Sequence, residues 1–294
     1  MKTFHRFLDQ IQHIVEKLNE GRITHKTTAE EFTECVKRSV KVNIQNVADY
    51  FYGPLDQDFS EKTTPNIMPP WDYFWMEYNL PTSILNKGYC GHYGGLHSKS
   101  MEADGIFLNS LHSLFNSDFS NVLVGQSSFK IGRDGSMLDM YGNESEKRYN
   151  LAVVSLDKNN LVSDDIRKAQ SEYLDNVLRP VLLAICFCHC KNVEVVKNPI
   201  EPELRKAWAK KGRFPVDKFY TLSISPIKRI LSEAMKSNQC GGAKALHICR
   251  GHFKDFRNHG LFGKHKGMFW WDMNLRGSSK YGTIKKDYQI KTRI

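Results

Sequence analysis

The segments ALHICRGHF (residues 245–253), GMFWWDMNL (residues 267–275) and GTIKKDYQI (residues 282–290) decide the fold at the C-terminal end of the chain. Each segment combines aromatic or β-branched residues with a nearby glycine, a composition that is typical of short strands joined by turns. We therefore predict that they form three strands of an antiparallel β-meander.

Helical periodicity dominates other parts of the chain. Apolar residues recur at helical spacing over residues 4–18 and again over residues 28–52, where Thr28 is a candidate N-cap and Glu31 its capping-box partner. These two segments predict an N-terminal helical hairpin. Residues 163–188 predict one long helix, which Ser163 caps and which aspartates open.

Strands are expected between these helices. The aromatic-rich residues 71–78 suit a half-buried strand, and residues 106–114, 122–124 and 149–155 are apolar enough for three more. Residues 202–211 predict a short basic helix and residues 219–224 a strand. The fold class is therefore α+β, with an N-terminal helical region over 1–60, a mainly β central region over 61–160, and a long helix plus C-terminal β region over 161–294.

Charge is distributed unevenly along the chain. The 294 residues contain 42 Lys/Arg and 32 Asp/Glu, a net charge of +10, whereas residues 244–294 contain twelve Lys/Arg against three Asp. Almost the whole positive surplus therefore lies in a segment that is also rich in aromatic residues. Such a segment is built to meet an acidic or phosphate-bearing partner, or to dock into another protein.

The location of the protein follows from what the sequence lacks. It has no run of about 18 apolar residues, so no membrane span is expected. The N-terminus has no signal-peptide apolar core. Seven cysteines at irregular spacing suit a reducing compartment. We predict a cytoplasmic protein.

Residues that suggest catalysis or metal binding have simpler explanations. His247, Cys249 and His252 are zinc-ligand types, but they match no standard spacing, and on one strand His252 faces away from the other two. Cysteines 186, 188 and 190 end the most apolar helix, where free cysteine behaves as a small hydrophobe. We predict no metal and no cofactor.

Other catalytic signatures are missing as well. The glycine-rich residues 88–95 are neither a P-loop nor a dinucleotide fingerprint, and a flexible loop is the expectation there. The carboxylates are scattered rather than clustered as a Mg²⁺-dependent nuclease would need. We predict that the protein is not an enzyme.

The basic and aromatic residues of the C-terminal segment are the candidate binding surface. Adjacent Trp270 and Trp271 point to opposite faces of a strand, so we expect one in the core and the other exposed or in an interface. A second basic cluster surrounds Trp208. The predicted partner-binding residues are Arg250, His252, Lys254, Phe256, Arg257, Trp270, Trp271 and Arg276.

The C-terminal third carries a pattern of short motifs, H-x-x-R-G-H-F at residues 247–253, L-F-G at 261–263, G-x-x-W at 267–270, R-G at 276–277 and K-D-Y at 286–288. This pattern resembles a family carried by phages and mobile elements, and within it the counter-defence inhibitors of the Gabija anti-phage system. The resemblance implies a protein of the host-cell cytoplasm that forms a dimer or tetramer. It implies that the protein sequesters a host defence nuclease/helicase complex and blocks DNA binding and cleavage without catalysis.

Two alternatives to this function stay open. A basic nucleic-acid-binding protein of a phage or plasmid would use the same C-terminal segment and would bind with strong salt dependence. A metal- or cysteine-dependent enzyme would use His247, Cys249 and His252, with bound zinc or a thiol of depressed pKa.

Overall fold

The computed structural model describes residues 29–52, 65–80, 91–103, 105–115, 121–141, 150–155, 165–213, 216–224, 245–249, 251–272, 274–276 and 278–283. The chain divides into two compact units. The first comprises residues 1–189 and 193–223, and the second comprises residues 190–192 and 224–294. The predicted boundaries near residues 60 and 160 lie outside the described residues and stay predictions. The α+β fold class is confirmed.

The first unit is built on a nine-stranded mixed sheet with the order β6-β5-β4-β3-β2-β1-β9-β8, in which β7 also pairs with β5. Strands β2 to β5 are antiparallel neighbours, whereas β1 runs parallel to both β2 and β9. The helices are α1 (Ala29–Arg38), α2 (Gln45–Phe51), α3 (Asp165–Cys188) and α4 (Pro202–Lys210). The strands are β1 (Val40–Asn43), β2 (Tyr73–Asn79), β3 (His92–Glu102), β4 (Gly105–Phe115), β5 (Asn121–Ile131), β6 (Met137–Tyr141), β7 (Asn150–Ser155), β8 (Val193–Pro199) and β9 (Lys218–Ile224).

The predicted continuous helix over residues 28–52 is wrong. Helix α1 ends where the Ser39 amide donates to the Cys35 carbonyl at 2.9 Å, and β1 follows at once. The Lys41 ammonium then donates to the carbonyls of Val36 and Lys37 in the last turn of the helix and to that of Ser39 just beyond it. The last carbonyls of a helix lack an amide partner four residues on, so the ammonium supplies a donor there. Pairing of β1 with two neighbouring strands outweighs the helical spacing of Val40. The other predicted arm of the hairpin, residues 4–18, lies outside the described residues.

The remaining predictions for the first unit are largely confirmed. Strands β4, β5 and β9 contain the segments predicted as strands there, whereas β2 begins two residues later than predicted and β7 matches its predicted segment over residues 150–155. Helices α3 and α4 match the predicted helices to within two residues at their described ends. The cap at Ser163 lies outside the described residues. The predicted glycine-rich loop is partly wrong, because β3 begins at His92 and includes Gly94 and Gly95.

Buried polar side chains occupy the centre of this sheet. His97 and His112 are fully buried, and burial lowers the pKa of each to about 3. Tyr93 lies beside them, with its hydroxyl 3.4 Å from His97 Nε2. Among the described atoms, His97 Nδ1 and His112 Nε2 have no hydrogen-bond partner. On the opposite face the Trp75 indole donates to the buried Glu77 carboxyl at 3.3 Å, and burial raises the pKa of Glu77 well above its usual value.

The second unit contains two small sheets. Its strands are β10 (Ala245–Cys249), β11 (His252–Asp255), β12 (Met268–Trp271), β13 (Asn274–Arg276) and β14 (Ser278–Thr283). Strand β10 lies between antiparallel β13 and parallel β14, while β11 and β12 form a separate antiparallel pair.

The predicted antiparallel meander is therefore wrong. The segment predicted as one strand over residues 245–253 is split between β10 and β11, which belong to different sheets, and residues 267–275 are split between β12 and β13. The third predicted strand, residues 282–290, overlaps only the end of β14 within the described residues. Because each of these segments breaks into two short strands, its two halves can join different sheets. The local composition does not show where such a break falls.

Candidate partner-binding surface

The β11–β12 pair is the framework of the predicted binding surface. Its register places His252 opposite Trp271 and Phe253 opposite Trp270. The Phe253 and Trp270 rings meet edge to face, with centroids 4.7 Å apart. Asn192 extends the framework, because its side-chain amide accepts from the Trp270 amide at 2.9 Å and donates to the Trp270 carbonyl at 3.0 Å. A side chain thus replaces a neighbouring strand at this position.

Both tryptophans of β12 are buried, so the expectation that one of them is exposed is wrong. Trp270 is 2 % exposed and Trp271 is 6 % exposed. Strand alternation does place them on opposite faces, but each face is covered. Trp271 packs in a cluster with Leu261 and Phe269, and Phe256 packs against this cluster. Neither indole is available as an exposed contact within this unit.

Lys254 lies over the outer face of this cluster. Its ammonium nitrogen is 4.4 Å from the centroid of the Trp271 ring, a cation–π arrangement. Lys254 is half-buried, as expected when a lysine stem lies along apolar surface. Lys254 therefore contributes to the packing as well as to the positive charge of this face.

Arg257 is paired within the chain. Its Nη2 is 2.7 Å from Asp255 Oδ2, and its Nε is 3.0 Å from Asp255 Oδ1. The hydrogen bond and charge of Arg257 lower the pKa of Asp255. The pair is exposed, so it contributes little to stability. Asp255 nevertheless offsets the charge of Arg257, the one arginine between β11 and β12.

The loop of residues 256–267, hereafter the tip loop, joins β11 to β12. Leu261 is buried in the aromatic cluster, and its amide donates to the His265 carbonyl at 2.7 Å. The next residue, Phe262, is 54 % exposed and has a φ of +53°. Glycines 260 and 263 also have positive φ. A left-handed conformation costs a non-glycine residue roughly 1–2 kcal/mol, so Phe262 is held outward in a strained position.

The surface of the tip loop is cationic. Apart from Arg257, which is paired with Asp255, its exposed basic side chains are His259, Lys264, His265 and Lys266. No carboxylate occurs between Asp255 and Asp272, which bracket the loop. The predicted binding residues did not include Phe262 and these neighbours, although the glycines around L-F-G are a signal for an unusual turn.

The other predicted binding residues are placed as follows. His252 is exposed at the start of β11. Arg276 lies on β13, in the other small sheet of the unit, and Arg250 lies outside the described residues. The structure thus brings Lys254, Phe256, Arg257 and Trp271 together on one strand pair and its loop.

The second basic cluster gives no exposed aromatic residue. Trp208 lies on α4 and is its buried residue. Arg205 forms an ion pair with Asp217 at 3.0 Å. The lysines at 206, 210 and 211 are exposed. This cluster offers charge without an accessible ring.

The metal and thiol hypotheses gain nothing from the described residues. His247 and Cys249 lie on β10, whereas His252 begins β11 in a different sheet. Within the described ranges, no group of three or more His, Cys, Asp or Glu side chains is arranged to hold a metal ion. Cys186 and Cys190 are buried as predicted, and burial raises the pKa of the Cys188 thiol to about 12.

No helix in the described part of the chain is both long and apolar enough to cross a membrane. Known protein families, curated proteins and solved structures provide no match to this chain.

Proposed function

We propose that this protein acts by binding rather than by catalysis, and that its second unit binds the phosphate backbone of nucleic acid. The observation that carries the proposal is the tip loop, where basic side chains stand exposed on a framework whose tryptophans are buried. Lysine ammonium groups attract phosphates as point charges and need no base-specific geometry. Lys264, Lys266 and the nearby Lys254 are the groups that we assign to phosphate contact.

The burial of the tryptophans favours nucleic acid over a protein partner. Protein interfaces gain most of their binding energy from a few central aromatic or arginine anchors. In this unit Trp270 and Trp271 are already in its core, and Arg257 is paired with Asp255. What the tip loop offers is exposed positive charge, and attraction between such charge and phosphates supplies most of the affinity of non-specific nucleic-acid binding.

The proposal is tested by the salt dependence of binding. We expect the full-length protein to bind nucleic acid with log affinity falling linearly with log salt, in proportion to the phosphates contacted. The double substitution Lys264→Ala/Lys266→Ala should weaken binding and reduce the magnitude of the slope by about 2, roughly 1 for each lysine.

A matched control keeps the net charge equal. Lys197 and Lys218 are exposed lysines of the first unit, so Lys197→Ala/Lys218→Ala removes the same charge elsewhere. We expect the control to retain the wild-type slope. Equal losses in both double variants would contradict a localised surface, and absence of salt-dependent binding by the wild type would end the proposal.

A second candidate function is sequestration of a host defence nuclease/helicase complex, which the motif pattern of the C-terminal third favours. Several of the motif residues belong to the framework: Phe253 packs on Trp270, Leu261 lies in the cluster, and Gly267 has a φ of +136° beside the Lys191 side chain. A pattern that specifies the framework is compatible with different partners. Co-purification with a Gabija-type complex, followed by mass determination and a DNA-cleavage assay, tests this candidate. The mass determination also tests the predicted dimeric or tetrameric state.

A stable assembly that no longer cleaves DNA would support sequestration over nucleic-acid binding. The variant Lys264→Ala/Lys266→Ala then distinguishes the two functions, since a wrapping contact need not depend on the tip loop. Intact cleavage and no assembly would contradict the sequestration candidate.

A further inference from the structure

We infer that Phe262 is a base-stacking contact, and that the tip loop prefers single-stranded to double-stranded nucleic acid. The inference rests on the proposed function and adds the form of nucleic acid that the surface takes. Its starting observation is that Phe262 combines a left-handed backbone with an exposed ring. An isolated exposed aromatic residue in a strained conformation is unfavourable in the unbound protein, and sites of strain cluster where ligands bind.

The loop holds the backbone of Phe262 in a defined conformation. Leu261 anchors one side in the aromatic cluster, and the amides of Lys264 and His265 both donate to the Leu261 carbonyl, at 3.1 and 3.0 Å. The Gly260 amide donates to the Phe256 carbonyl at 3.0 Å, and the Gly263 amide donates to the Gly260 carbonyl at 3.3 Å. Because the backbone is already ordered, only the torsions of the Phe262 side chain lose freedom when a base stacks on its ring.

The charges around the ring favour a polyanion whose bases are accessible. Lys264 and Lys266 follow Phe262 within four residues, and both are exposed. In a duplex the flat faces of the bases are stacked on each other, so a protruding ring finds only phosphates and groove edges. In a single strand the base faces are accessible, and aromatic rings next to basic side chains bind such strands without sequence preference.

The exposed residues of this unit fit a membrane surface or a protein partner less well than a single strand. Among the side chains of residues 251–272, Phe262 is the one large hydrophobic side chain with high exposure. Membrane-surface elements need a broad apolar face, and protein hot spots lie within a larger desolvated patch. A single ring between charges is sufficient for one stacked base.

The inference is tested by fluorescence anisotropy of the full-length chain with three labelled probes. The probes are a single-stranded oligothymidine of about 15 nucleotides, which covers typical site sizes, an abasic strand of the same length, and a duplex of the same length. We expect the wild type to bind the oligothymidine more tightly than the abasic strand or the duplex. Phe262→Ala should weaken oligothymidine binding by roughly 5- to 100-fold and leave the abasic strand unchanged.

Two further variants keep the result interpretable. Phe262→Trp retains a stacking face and should restore oligothymidine binding, whereas Phe262→Gly removes the ring and suits the positive φ. Phe262→Gly should therefore weaken oligothymidine binding as Phe262→Ala does, in a protein that melts no earlier than the wild type.

The possible outcomes separate this inference from the proposed function. Salt-dependent binding that is equal for all three probes, or that is unchanged in Phe262→Ala, would overturn the stacking contact and leave phosphate binding standing. No binding to any probe would overturn both. Anionic vesicles are measured in parallel as a fourth partner. Loss of binding to these vesicles in Phe262→Ala, with oligothymidine binding unchanged, would assign the ring to a membrane surface and overturn the inference.

Discussion

Leu261 and Phe262 are sequence neighbours in opposite environments. Leu261 is 6 % exposed and packs with Phe269 and Trp271, whereas Phe262 is 54 % exposed and projects outward with a positive φ. The pair divides the tip loop into a structural residue and a presented residue. Stability and binding should therefore respond to substitutions at these two positions in opposite ways.

Substitution of Leu261 should destabilise the protein, and substitution of Phe262 should not. Leu261→Ala removes a buried side chain and leaves a cavity, which typically costs about 2–5 kcal/mol of unfolding free energy. Phe262→Ala removes an exposed ring and should change this free energy by less than about 0.5 kcal/mol. Urea denaturation measures both. Equal losses in the two variants would contradict the division of roles.

The contact between Lys254 and Trp271 should contribute measurably to stability. We expect Lys254→Gln to lower the unfolding free energy by about 0.5–1 kcal/mol, because it removes the cation that lies 4.4 Å from the ring centroid. The matched control is Lys264→Gln on the tip loop, whose side chain is exposed. Thermal denaturation of both variants is the measurement, and an equal effect of the two substitutions would rule out a specific contact.

The sequence predicts the elements whose signals are local. Strand β2 could be predicted from its aromatic residues, and α3 from its length and the apolar residues of its C-terminal half. Neither prediction required knowledge of the elements that pack against them. Strand β1 is different, because Val40 continues the helical spacing of Val36 and Ile44 and also fits a strand. The pairing of β1 with β2 and β9 is a long-range interaction that no local pattern reveals.

The candidate surface shows the same limit. Alternation correctly separates Trp270 from Trp271 but cannot tell whether each face is covered, and the covering residues Phe256 and Leu261 lie outside the strand itself. Phe262 was missed because its environment depends on the conformation of the loop. Residue type identified the basic region, and the structure was needed to say which of its side chains are exposed.

Glu77 should make the protein less stable as the pH rises. Its folded-state pKa is raised well above 4.5 by burial, so the folded state keeps a proton that the unfolded state releases. This contribution is fully present below pH 4.5 and is lost as the pH rises above it. Glu77→Gln removes the effect. Just above pH 4.5, the difference in unfolding free energy between the variant and the wild type should therefore shift in favour of the variant by about 1.4 kcal/mol per pH unit. Parallel curves of unfolding free energy against pH would contradict a buried neutral carboxyl.

His97 should have the opposite pH dependence. Burial lowers its folded-state pKa from 6.5 to about 3, so the unfolded state binds a proton that the folded state does not. Stability from this group is present above pH 6.5 and is lost as the pH falls towards 3. His97→Phe keeps an aromatic ring beside Phe74, whose ring centroid is 5.1 Å from that of His97 in the wild type. As the pH falls below 6.5, the unfolding free energy of the variant relative to that of the wild type should rise by about 1.4 kcal/mol per pH unit. Acid unfolding at the same pH in both proteins would argue against this.

Gly95 leaves room for the buried polar residues, and a side chain there should be poorly tolerated. A Cβ at this position would lie 2.7 Å from Tyr93 Oη, 3.0 Å from His97 Nε2 and 3.1 Å from His112 Cβ. Tyr93 cannot move aside easily, because it is fully buried and its ring stacks on Tyr78 with centroids 4.9 Å apart. We therefore expect Gly95→Ala to lower the unfolding free energy by about 1–3 kcal/mol.

The partner substitution Tyr93→Phe identifies the cause of that loss. It removes the hydroxyl that the new methyl group would meet, so Gly95→Ala should cost less in the Tyr93→Phe background than in the wild type. A double-mutant cycle by urea denaturation measures this coupling, which we expect to be about 0.5–2 kcal/mol for residues in direct contact. Additive losses would show that the histidines or the backbone, and not the tyrosine hydroxyl, oppose a side chain at this position.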